Sequence, residues 1–144
     1  MTTETELHRD AEPDDDRFTS YLCIGCPLGC RLEVEENEQH DVVEVRGHHC
    51  KKGERFARQE HIDPRRMLAT TVAVRGGRLA RLPVRTADTI PKDLVMPLCV
   101  ALRSVEVEAP ITMGDVVLAD ALGSGVDVVA SRDLPADVGG EVSR

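Results

Sequence analysis

Three cysteines, Cys23, Cys26 and Cys30, stand within eight residues, and a fourth, Cys50, follows after nineteen intervening positions. This C-x2-C-x3-C-x19-C spacing constrains the chain more than any other feature. Thiols this close together suit a shared metal centre better than a disulfide framework. Gly25, Pro27 and Gly29 lie between them. Glycine lets the loop turn sharply and brings backbone N–H groups close to sulfur, and proline stiffens the turn.

Four thiolates at this spacing suit a 4Fe–4S cluster, with one cysteine per iron. Structural zinc is the alternative, since it accepts four thiolates, or three with a histidine. His48 or His49, just before Cys50, would then replace a thiolate. Zinc sites usually pair two separated C-x2-C motifs, whereas the second half here offers one cysteine, so the cluster is the favoured reading.

The composition limits what surrounds such a site. The chain of 144 residues has no Trp, one Tyr and two Phe. Its core must be built from Val, Leu, Ile and Ala, and the abundance of Val favours strands. Net charge is −8, yet residues 46–85 are locally basic. We expect this stretch to offer a docking face for an acidic partner. Its bases are not interleaved with aromatics, which argues against nucleic acid as a partner. No apolar run is long enough to span a membrane, and no signal peptide is visible. The expected location is cytoplasmic, where thiols stay reduced.

Taken in order, residues 1–17 read as a disordered acidic tail. Residues 18–67 read as the four-cysteine module. Its hairpin covers 31–46, with Leu32, Val34, Val43 and Val45 alternating against polar neighbours. The hairpin returns Cys50 to the first three cysteines. A helix is expected from about Glu54 to His61, ending before Pro64. Residues 68–134 read as a β-rich module with one helix. A hairpin turns at Gly76-Gly77, and Pro83 places its return strand at an edge or at its end. Thr89 is expected to cap a helix with Pro91 in its first turn; Pro97 either bends this helix or marks a later start. Residues 107–133 read as β, and 135–144 as a flexible tail. The fold class is therefore α+β.

Cys23, Cys26 and Cys30, the hairpin, Cys50-Lys51-Lys52-Gly53 and Asp63-Pro64-Arg65-Arg66-Met67-Leu68 together resemble the N-terminal iron–sulfur domain of molybdopterin oxidoreductases. That resemblance implies Cys23, Cys26, Cys30 and Cys50 as cluster ligands. It also implies that Lys52 occupies the place of the lysine between cluster and pterin. The chain is far too short to hold a molybdopterin-binding body as well. The whole sequence is also similar to a family of short bacterial and archaeal four-cysteine proteins of unknown function. Thr71-Val72, Ile90-Pro91-Lys92, Gly114-Asp115-Val116-Val117 and Gly123 to Val129 carry that likeness. It implies a flavoprotein dehydrogenase partner resembling anaerobic glycerol-3-phosphate dehydrogenase.

The expectation is thus a small electron-transfer or accessory subunit of a flavin-dependent oxidoreductase. A zinc-stabilised interaction module without redox work is the alternative. His48, His49, Lys51 and Lys52 are expected around the metal or against a partner. Cys99 reads as a buried free thiol, His40 as surface, and His61 as a charge at a helix end. Asp115 and Asp127 read as turn and strand-edge residues. No Ser–His–Asp or Cys–His arrangement stands out, so no catalytic residue is assigned.

Overall fold

The computed structural model describes residues 17–139. The acidic segment expected at the N-terminus lies almost wholly outside them. The fold is α+β, and the chain divides into two compact units between Ile62 and Asp63. The sequence places that division after Met67. Arg65–Arg66 form a short strand paired with Ile90–Pro91, so these residues belong to the second unit.

The first unit is a three-stranded antiparallel sheet with one helix. Strands β1 (Phe18–Leu22), β2 (Arg31–Glu36) and β3 (Val42–Arg46) lie in the order β1-β2-β3. Alternation explains β2: Leu32 and Val34 are fully buried while Arg31 and Glu33 are exposed. The turn to β3 is closed by Asn37, whose side-chain oxygen accepts from Gln39 and Asp41 N–H. Helix α1 spans Lys51–Ile62. It buries Ala57 in a core with Cys23, Leu32, Val34 and Val45.

The second unit is built on a five-stranded sheet. Between β4 (Arg65–Arg66) and β7 (Ile90–Pro91), which pair with each other, run β5 (Ala69–Arg75) and β6 (Arg81–Thr86). After them come β8 (Glu106–Glu108), β9 (Val116–Leu118) and β10 (Val128–Ala130). The sheet order is β8-β5-β6-β10-β9, with β5 and β8 parallel. Strand β6 is therefore central, not an edge, despite Pro83. The reason is local. Pro83 offers its carbonyl to Ser131 N–H (2.9 Å), just past the last residue of β10. Its missing donor faces the place where that ladder has already ended, and pairing with β5 is intact.

Helix α2 spans Val95–Leu102, preceded by a 3-10 turn over Lys92–Leu94. Of the two options left by Pro97, the later start is the one adopted, and Pro97 lies in the first turn, where a missing N–H costs no helical bond. Thr89 does not cap it; its hydroxyl accepts from Arg65 Nε (3.2 Å). Pro91 belongs to β7 rather than to the helix. Leu98 and Leu102 enter a core with Val72, Leu82, Val84, Ile90 and Val128. The start of the expected C-terminal tail is tied down: Ala136 bridges Gly77, and Asp137 N–H donates to Gly76 (2.8 Å).

Candidate metal centre

The sheet of the first unit gathers the cysteine-bearing backbone at one end. Leu22 pairs with Arg31, and Cys23 N–H donates to Cys30 O at 2.8 Å. The loop from Cys23 to Cys30 is thus a closed extension of the β1–β2 ladder. Chain leaving β3 returns to the same end through Gly47. Its φ is +77°, and a Cβ there would stand 2.1 Å from Arg31 O. Only glycine permits that approach. Three residues later comes Cys50.

Cys50 occupies the N-cap position of α1. Its carbonyl accepts Gly53 N–H (3.0 Å), and its thiol accepts backbone hydrogen bonds from Gly53 and Lys52. These are the N–H groups that a capping Ser or Asp would satisfy. They hold the Cys50 thiol below its usual range, and the Lys52 charge adds to the effect. A thiol at a helix N-terminus is thereby biased toward thiolate, the form that binds metal. The helix begins three residues before the expected Glu54 because its cap is a cysteine, which sequence signals for caps do not include.

Cys23 is buried, Cys30 half-buried, and Cys26 and Cys50 exposed. All four belong to the first unit, and Cys99 lies in the second, half-buried against that unit's core. Among the described residues no three His, Cys, Asp or Glu side chains gather into a group able to hold a metal ion. The donor chemistry is that of a four-thiolate centre, but among the described residues the side chains do not by themselves form a closed cage. His48, His49, Lys51 and Lys52 are all exposed around Cys50.

A second polar cluster in this unit was not legible as a unit in the sequence. Tyr21 Oη lies 2.9 Å from His61 Nδ1, and His61 Nε2 lies 2.9 Å from Glu36 Oε2. The Glu36 carboxylate is held below its usual range, first by the hydrogen bond with His61 and then by that with His40. An ionised carboxylate only accepts, so Nε2 carries a proton. Burial, with Glu60 and Glu36 nearby, pushes the Tyr21 phenol up. The three residues come from β1, the end of β2 and the last turn of α1. They clamp the helix onto the sheet at the end away from its cap. His61 is 11 % exposed, a bonded group rather than a surface charge, whereas His40 is at the surface.

The two carboxylates Asp115 and Asp127 serve turns. Asp115 accepts Thr112 N–H (2.8 Å) and Asp127 accepts Asp120 N–H (2.8 Å). Among the described residues no helix is long and apolar enough to cross a membrane.

A family model described as a protein of unknown function, DUF1667, matches residues 51–132. The chain belongs to this family. In this DUF1667 member the matched part begins directly after Cys50, so it contains α1 and most of the second unit and leaves the four clustered cysteines outside. No curated protein matches the chain. The NMR structure of Clostridium perfringens protein CPE0013 is similar at 21 % identity and a TM-score of 0.48, covering 56 % of this chain and 95 % of that one.

Proposed function

We propose that this DUF1667 member is a small 4Fe–4S electron-transfer or accessory subunit of a flavin-dependent oxidoreductase in a reducing, cytoplasmic compartment. The observation that carries the reading is Cys50. Its thiol is held by helix-capping N–H groups at the end of the sheet where the Cys23–Cys30 loop closes. Backbone N–H groups directed at a ligand sulfur are one way in which a protein sets a cluster's potential. Cys23, Cys26, Cys30 and Cys50 would hold the cluster, which when bound supplies one-electron transfer. Lys51 and Lys52 place positive charge beside a group whose thiolate ligands are anionic. The protein would act without substrate chemistry of its own, passing electrons between a flavoprotein dehydrogenase and an acceptor. The likeness of its cysteine segment to the iron–sulfur domain of molybdopterin oxidoreductases supports the same reading.

Anaerobic purification with metal analysis and a visible spectrum tests it. We expect about four irons and four sulfides per chain and a brown protein bleached by dithionite. Cys50→Ala should lose the iron. A colourless protein carrying one zinc would overturn the redox reading.

A further inference from the structure

The second unit contains a cleft unrelated in sequence to the cysteines. It has a volume of about 280 Å3 and is lined by Arg78, Leu79, Arg132, Leu134 and Pro135. Its two walls are the β5–β6 turn and the segment after β10. Backbone hydrogen bonds lock them together: Arg78 N–H donates to Pro135 O (3.3 Å), and Asp137 N–H to Gly76 O (2.8 Å). Gly77 allows the close seat, since a Cβ there would lie 2.9 Å from Val74 Cγ1 and 3.3 Å from Leu134 Cδ2. The cleft is therefore formed in advance, which lowers the ordering cost of filling it.

Its chemistry is two cations beside an apolar surface. Leu134 is buried, and Leu79 and Pro135 remain accessible. Some other arginines of this unit are engaged: Arg75 pairs with Glu106, and Arg81 donates to Thr71. Among the described residues neither Arg78 nor Arg132 meets a carboxylate. Arg132 spends only Nε, on the Asp133 carbonyl (3.3 Å). The adjacent acid is committed elsewhere, as Asp133 Oδ1 accepts Met113 N–H at 2.7 Å. Two guanidinium groups that meet no carboxylate among the described residues, on a preformed apolar cleft, match a ligand with an oxyanion head and an apolar body.

We propose that this cleft binds a small organic carboxylate, its head between Arg78 and Arg132 and its short aliphatic part on Leu79, Leu134 and Pro135. The volume falls just below the usual range for ligand pockets, so the body is a few carbons long. The apolar wall favours such a molecule over free phosphate, which would use the arginines alone.

Titration of the full-length 15N-labelled protein with butanoate, butanamide and inorganic phosphate tests the proposal. We expect butanoate to give saturable shifts at the Arg78 and Arg132 side-chain N–H signals and at the Leu79 and Leu134 amides. Arg78→Gln and Arg132→Gln should each weaken binding about tenfold or more. Both side chains are exposed, and the unchanged remainder of the spectrum reports that the variants fold. Butanamide, which keeps the shape and loses the charge, should bind more weakly by a similar factor. Added salt should weaken butanoate binding. No saturable shift with butanoate overturns the proposal. So does phosphate binding as tightly as butanoate, or equal weakening by Arg103→Gln, a substitution outside the cleft; either result would mean charge alone is being read.

Discussion

The proposed function gives Cys50 a second role beside capping, and substitution separates the two. As a cap it needs only an acceptor atom; as a metal ligand it needs a thiolate. In metal-free protein, Cys50→Ser should hold the melting temperature close to that of the parent, because a hydroxyl caps well. Cys50→Ala should lower it by a few degrees. Both variants should lose bound metal equally, as metal analysis would report. An equal melting temperature for the Ala and Ser variants would remove the capping role. Tyr21 offers a second single-residue test, since it is the only tyrosine and no tryptophan is present. Absorbance at the phenolate band therefore reports Tyr21 alone. We expect its midpoint above the usual 10.0, because burial and then Glu60 and Glu36 oppose the anion. The folded pKa is raised, so this contribution to stability is complete below the unfolded value and is lost as pH rises through the folded one. A midpoint at or below 10.0 would sink the account of the clamp.

Among the elements, the return from β3 to α1 is the sharpest constraint. Gly47→Ala places a methyl carbon against Arg31 O in a conformation that side chains avoid. We expect a loss of at least ~1–3 kcal/mol in chemical denaturation and a parallel loss of metal binding, since this turn delivers Cys50. The hairpins were legible because Leu32 and Val34 in one, and Leu82 and Val84 in the other, alternate along their strands; Val43, expected to alternate with Val45, is exposed where a register shift at Glu35/Glu36 interrupts the pairing of β2 with β3. Strand β1 was not legible. In sequence Phe18-Thr19-Ser20-Tyr21-Leu22 leads straight into the cysteine loop, and only its pairing with β2 makes it a strand. Pro83 misled for a related reason: sequence reveals that a donor is missing, but not which neighbour that donor would have faced. The early start of α1 was hidden because cysteine is not an ordinary cap.

At the level of the whole molecule, two cores of unequal strength share one chain. Among the described residues the first has five buried apolar side chains, one of them the cysteine Cys23 and one an alanine. The second has twelve among the described residues, rich in Leu and Val. Small cores lean on metal ligation or other staples. Stripping a metal-loaded protein with chelator should therefore cut hydrogen-exchange protection in β1, β2, β3 and α1 and leave β5, β6 and β10 unchanged. Equal loss across both units would contradict that division. The four cysteines of the proposed centre stand out by spacing alone. The Tyr21–His61–Glu36 clamp and the Arg78–Arg132 cleft do not, because each joins residues that only the fold brings together. The capped first turn of α1 has one more consequence. Lys51 and Lys52 are exposed in it, and trypsin cuts after lysine only where the chain can open out. While the turn stands, the bonds after these lysines resist digestion; when Cys50 lets go, they become the weak point. The rate at which the chain is cut there is thus a gauge of whether the cysteine end is assembled, and a gel is enough to read it.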